Sequence, residues 1–506
     1  MQAWRQTPRI AATTATVIAT ASATGSGLCR QRGQALLFGI FLLMAGVAGL
    51  FFLFNTGQLT AEKTRLVTTA DAAAHGAGVM QARALNYDAY ANRALVANEV
   101  LVAQMVSLSS WAQYAQTHAE NLPWQFPECA DPYGYGAAFG AAFRYGALYA
   151  ALCYLTVQYA GDYVAELAGQ VPPAVEAVVT AVEVNKALIA AAQDFLHAPG
   201  AFQATRGAVM QEIADANYAG DGIVTASAQL AGDGWPGFTR HYQGEDRGRI
   251  AEVSRAAADS DPFVRQRSWT ATAVTPPYWE WTCAVAGRRN SVKRRGGTEL
   301  VNYDEWKAED TESYWEVHNV GRFFPRCGKD EQAVAYGEQQ AHPDDADQDE
   351  SNAVLGGSPA TNPDAHGYAS SDQWTNYTGL PSFYDLSPAQ LDVGAPGPTL
   401  RLQVRLTRAR DQLATAEDRS AIRQADDPAG GRRNVAAYSS AMAGGEMMAS
   451  AAVEVWFARP PGSMDNAWGS AQGKPVELAS LFNPYWQVRL IDPVTASATG
   501  PQAVAR

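Results

Sequence analysis

The chain has 506 residues, 47% of them hydrophobic, and 13 tryptophans. That is too long for one ordinary compact core and too rich in aromatics for wholesale disorder. A formal net charge of -13 excludes a polyanion-binding protein, because phosphate recognition needs a concentrated positive field, so no nucleic-acid partner is expected.

Residues 1–33 carry Arg5, Arg9, Arg30 and Arg32 and no acid, and their Ala/Thr/Ser/Gly stretch has too little large apolar surface to pack. A loose basic tail is expected. Ala35 to Phe54 is 20 residues without a charge, long enough at about 1.5 Å per residue to cross a hydrocarbon core of about 30 Å. The first charges beyond it are Glu62 and Lys63, so the positive-inside rule puts the N-terminus in the cytoplasm and the bulk of the chain outside it. A cleaved signal has a shorter apolar core, and a buried helix would show a polar face. The expectation is a retained transmembrane helix over 34–56.

Beyond the anchor, a seven-residue repeat runs through Leu59, Leu66, Ala73, Met80, Tyr87, Ala94, Leu101 and Leu108. A second series, Ala70, Ala77, Ala84, Ala91, Met105 and Ala112, lies four residues after most of these. Together they predict an apolar seam that packs closely on another helix, in the same chain or in a second copy. Gly76 and Gly78 weaken the helix locally. Residues 136–170 show helical spacing, Pro172 and Pro173 mark a fresh start, and a further helix follows from Ala174 to Leu196. Tyrosines, Gln158 and the adjacent Arg144 favour a core helix over a second span at 145–161. Residues 57–219 are therefore expected to be an Ala-rich helical hairpin or bundle.

Near "YAGDG", 218–222, the long Ala runs stop and Trp, Thr, Arg and Gly become common. Residues 220–338 are expected to be β-rich, with strands at "SWTATAV" and "YWEWTCAV" and a Gly-Gly hairpin turn in "RRGGTEL". Residues 339–395, rich in Asp, Asn, Gly, Ser and Pro, are expected to be loop or linker. Residues 396–506 then hold strands again. "TLRLQVRL" alternates Leu400, Leu402, Val404 and Leu406 with polar residues, which predicts a strand with one buried face, and "SAAVEVWFARPP" predicts another, ended by Pro460 and Pro461. The fold class expected is α+β, with a single N-terminal transmembrane helix continuing into the helical part and a β-rich extracytoplasmic region.

Cys29 precedes the anchor, and Cys129, Cys153, Cys283 and Cys327 follow it, an even number on the side expected to be oxidising. The favoured pairings are Cys129 with Cys153 and Cys283 with Cys327, the other pairings and free thiols remaining open. No HExxH, GxSxG or Walker A motif is present, and seven histidines lie without ligand spacing. Asp345, Asp347 and Asp349 open like a calcium loop, but Glu350 and Gly356 break the pattern, so a solvated acidic loop is expected. Arg288, Arg289, Lys293, Arg294 and Arg295 form a basic knot, read as a charged hairpin tip or as a docking patch for an acidic partner. No catalytic, cofactor-binding or metal-binding residue is assigned, and no cofactor is expected.

"RQRGQALLFGIFLLMAG" followed by "KTRLVTTADAAAHGAGVMQARALNYDAYANRALVANEVLVAQ" resembles the N-terminal region of the Tad/Flp pilus-assembly proteins of the TadE/TadG-like group. In that family a basic tail, Arg-Gly, one membrane helix and an Ala-Asp-Ala-Ala-Ala helix follow one another, the last element here being Ala70 to Ala74. Prepilin-type members carry glutamate at the fifth position after the cleaved glycine. With Gly33 as that glycine the position here is Phe38, which resembles instead the larger TadG-like proteins that keep their anchor. The resemblance implies a non-enzymatic, single-pass protein of the bacterial inner membrane that serves assembly, anchoring or minor structural roles in a Tad pilus. Its implied partners are the membrane and other Tad pilus-assembly proteins or pilins, with self-association through the Ala-rich helix a further option. A membrane-tethered binding protein or adhesin unrelated to pili is the alternative, followed by an envelope enzyme with an unrecognised site.

Overall fold

The computed structural model describes residues 34–121, 161–198, 200–219, 226–272, 290–321, 326–344, 361–391, 397–409, 446–458 and 479–493. The chain divides into two compact units, one of residues 1–62 with 413–441, the other of residues 63–412 with 442–506. In the first, the described residues form the opening of helix α1, Gln34–Glu120, and all the rest of the described architecture lies in the second.

Three further helices come next: α2 (Gly161–Gly169), α3 (Val171–His197) and α4 (Ala201–Tyr218). The two prolines open α3 as expected, where a missing N–H costs nothing. α4 ends at Tyr218, where the composition changes. The strands are β1 (Ala226–Asp233), β2 (Thr239–Tyr242), β3 (Trp269–Thr272), β4 (Ser291–Leu300), β5 (Trp306–Asn319) and β6 (Cys327–Ala341). After these come β7 (Ser371–Trp374), β8 (Phe383–Leu386), β9 (Thr399–Ala409), β10 (Glu446–Phe457) and β11 (Trp486–Ile491). Helix α5 (Gly248–Asp259) precedes β3, and the short turns α6 (Pro363–His366) and α7 (Pro388–Leu391) flank β7 and β8.

The strands form three sheets, making the protein α+β. One has the order β1-β9-β10-β11, a second pairs β2 with β8, and the third runs β3-β4-β5-β6-β7 with β6 and β7 parallel and its other pairs antiparallel. Leu400, Leu402, Val404 and Leu406 of β9 are buried, as their alternation predicts. They pack with Ala451 and Val453 of β10 against Leu66, Ala70, Ala73 and Ala77 of α1 and Met210 and Ala214 of α4. Further along α1, Leu95, Val102 and Val106 pack with Val175 and Val179 of α3, Ile250 of α5 and Trp306 of β5.

The buried face of α1 takes in part of the heptad seam, Leu66 and Ala73 together with Ala70, Ala77, Ala84, Ala91 and Ala112, but drifts across it. Tyr87 of that seam is 43% exposed, whereas the fully covered line runs Leu66, Ala77, Asp88, Glu99, Ser110, at steps of eleven residues. A straight helix with about 3.6 residues per turn drifts away from a seven-residue repeat, and an eleven-residue one follows it closely. The partner of this face is therefore sheet and helix of the same chain. Gly78 is where α1 meets the first sheet, since a Cβ there would stand 2.6 Å from Val488 and 2.9 Å from Val453.

Two other expectations are corrected. Gly296 and Gly297 lie within β4, paired with Asp310 and Glu309 of β5, and make no hairpin turn. A Cβ on Gly296 would overlap the β5 backbone and one on Gly297 would stand 3.2 Å from Gln266 Cα, so the glycines serve close approach. The segment expected to be linker holds α6, β7, β8 and α7 among its described residues, with Trp374, Tyr377 and Phe383 buried in the core. Among its described residues, Gly379, at φ 84°, lies in the turn between β7 and β8.

Candidate membrane anchor and buried polar clusters

In the first unit, Leu36, Phe38, Phe41, Leu42, Leu50 and Leu53 of α1 are all exposed, Leu36 to 72%. A buried core helix hides such side chains, and within its own unit this segment shows the opposite. The segment is long and apolar enough to cross a membrane and is a candidate span. At its end the Thr56 hydroxyl donates to the Phe52 carbonyl at 2.9 Å and Thr60 to that of Thr56 at 2.8 Å, so both are satisfied within the helix.

In the second unit, the same helix carries its polar side chains inward. Glu99, wholly buried, accepts from Trp306 Nε1 at 3.0 Å and from the Tyr377 hydroxyl at 2.8 Å. Lys186 of α3 stands 2.6 Å from Glu99 and 2.8 Å from Glu183, and donates to the Gly379 carbonyl at 2.8 Å. Burial, then the Glu99 charge, raises the Tyr377 hydroxyl well above its ordinary value.

About three turns further along α1, Ser110 donates to Asp310 Oδ2 at 3.0 Å. The same carboxylate takes a two-pronged bond from Arg267, at 3.0 and 2.7 Å, and a third contact from Arg294 at 3.0 Å. Arg294 also lies over the Tyr114 ring at 4.4 Å, and the Tyr114 hydroxyl donates to Glu312. Below, Asp88 meets His197 Nε2 at 2.8 Å, with Gln193 and Asn92 around it. Burial raises the Asp88 carboxyl despite those contacts. His197 stacks on Tyr384, whose own hydroxyl is pushed up to about 12 by burial and by its bond to Asp194.

These contacts relocate the basic knot. Arg294 is an ion-pair partner under α1, Lys293 lies 4.0 Å over Trp315, and Arg295 donates to the Trp269 carbonyl at 2.9 Å. All three lie within strand β4, paired along β5, rather than at a hairpin tip. Arg288, Arg289 and the Asp345, Asp347 and Asp349 loop lie outside the described residues, as do residues 136–160 and the strand expected at "YWEWTCAV". Cys327 is disulfide-bonded, which overturns the free-thiol alternative for that residue. Cys29, Cys129, Cys153 and Cys283 fall outside the described residues.

On the opposite face of the third sheet, Glu309 of β5 stands across from Glu338 of β6 in register, and His366 of α6 reaches over them. His366 Nδ1 lies 2.7 Å from Glu309 Oε1, and Lys307 Nζ lies 3.0 Å from Glu338 Oε1. Burial raises the Glu309 carboxyl, while the bond to Glu309 raises the His366 imidazole. Sequence reasoning missed this group because its members come from two strands and a distant turn, with no spacing that marks them.

Fold and site together define an α+β protein whose leading helix combines a bare apolar segment with a polar, buried one. Residues 33–84 match the Tad family, described as "Putative Flp pilus-assembly TadE/G-like". The N-terminal region of the chain thus carries the similarity to the Tad family of the TadE/G-like kind. No curated protein and no solved structure matches the chain.

Proposed function

We propose that this protein is a non-enzymatic, membrane-anchored component of a Tad pilus-assembly apparatus, of the TadG-like kind that keeps its anchor. The observation that carries the reading is that the Tad match covers both the wholly exposed apolar segment and the first buried turns of the same helix. An apolar helix without any polar face, next to one that is sealed into a sheet core, fits a bilayer span joined to a folded external part. The arginines before the span put the N-terminus in the cytoplasm and the sheets outside it. Phe38 in place of glutamate supports an unprocessed anchor. The disulfide at Cys327 fits an oxidising compartment. The partners are other Tad pilus-assembly proteins or pilins.

The test is deletion of the chain in a piliated host, with cell fractionation, protease treatment of spheroplasts and determination of the N-terminus of the membrane-bound product. Loss of pili, an intact N-terminus and protease-sensitive outer residues are expected. Normal piliation would reject the assembly role, a product beginning at Gln34 would mean prepilin-type processing and a place in the filament, and a soluble product cut after the apolar run would reject the retained anchor.

A further inference from the structure

We propose that Glu309, Glu338 and His366 form a binding site for a divalent transition-metal ion of the zinc class. Antiparallel register sets Glu309 directly opposite Glu338, and α6 lays His366 over the pair, so that one ligand atom from each lies within 4.8 Å of the others. Zinc–ligand distances of about 2.0–2.2 Å are reached from there by small side-chain rotations.

The second observation is an unsatisfied oxygen. Glu309 is wholly buried, its Oε1 is engaged by His366, and its Oε2 has no hydrogen-bond partner. An orphan carboxylate oxygen in the interior is costly, and a cation seated between the two glutamates removes that cost. One imidazole and two carboxylates suit zinc or its neighbours better than calcium or magnesium, which prefer all-oxygen shells.

The surroundings resemble a supporting shell. Lys307 Nζ and Gln340 Nε2 both bond Glu338 Oε1, at 3.0 and 2.9 Å, and so fix the orientation of that carboxylate. Lys307 brings one positive charge to two carboxylates. The side chain of His366 is 28% exposed, which provides an entry path from solvent. The competing arrangement is a protonated His366 that serves alone as the counter-ion of Glu309.

The full-length protein in detergent, stripped with a chelator, is dialysed against zinc and its metal content measured beside His366→Ala, His366→Gln and Glu309→Gln. The wild type is expected to take up about one equivalent and gain thermal stability, with affinity lower by at least about tenfold in each variant. Near-UV circular dichroism without metal identifies any variant that fails to fold, and the remaining variants then carry the comparison. Cobalt in place of zinc reports the donors through its visible spectrum. No uptake by the wild type, equal uptake by folded variants, or a thiolate-to-cobalt charge-transfer band would each overturn the site.

Discussion

The Ser110 hydroxyl of α1 donates to the Gly337 carbonyl of β6 at 3.1 Å, and helix and strand approach closely at this point. A Cβ on Gly337 would overlap the Ser110 carbonyl and stand 2.5 Å from the Tyr114 amide nitrogen. The polar inner face of α1 reaches Asp310 and Gln339 because no side chain intervenes there.

Gly337→Ala is therefore expected to destabilise the protein by about 1–3 kcal/mol or more, since backbone on both sides must yield. Gly207→Ala, in α4 with nothing within 4 Å of the added Cβ, is expected to stabilise by about 0.5–1 kcal/mol through helix propensity. Thermal denaturation of the two variants reads both signs.

Lys186→Met leaves the buried carboxylates of Glu99 and Glu183 facing one another without their cation. A loss of about 3–5 kcal/mol is expected. The double variant Glu99→Gln with Lys186→Met is expected to lose less than the sum of the two single losses, and denaturant titration of the full cycle measures the difference.

Glu454 accepts from Arg489 at 2.9 Å and from Arg401 at 3.1 Å. Burial opposes its ionisation, but the arginine bonds prevail and hold the carboxyl below its ordinary value. A depressed folded pKa means stability that is present above the unfolded value of about 4.3 and lost as pH falls through the folded one. Glu454→Gln is expected to be less stable at neutral pH and to flatten the acid limb of the stability curve, measured by denaturant midpoints below pH 5.

Leu43→Arg places a charge at the middle of the proposed span. Insertion is expected to become less favourable by about 2.5–3.5 kcal/mol. The share of protein resisting alkaline extraction from membranes should fall, whereas Tyr90→Arg, on the exposed side of α1 beyond the span, should leave it unchanged.

What the sequence by itself determined is whatever rests on local pattern. The uncharged run from Ala35, the Tad-like stretch around it, the prolines that open α3 and the alternation in β9 each follow from neighbours along the chain, so each was legible. Tertiary structure decided where polar residues belong. β5 reads "KAEDTES" from Lys307 to Ser313, a solvated strand by composition, yet these residues are buried between α1 on one face and the α6 turn on the other. Asp310 and Glu312 meet Ser110 and Tyr114, while Glu309 and Thr311 meet His366 and Asn362. A charge can be buried only when its partners arrive from elsewhere in the chain, and those arrivals depend on sheet register and helix contact rather than on spacing. The same reason hid the Glu309, Glu338 and His366 group and the polar partners that α1 meets along its eleven-residue stripe.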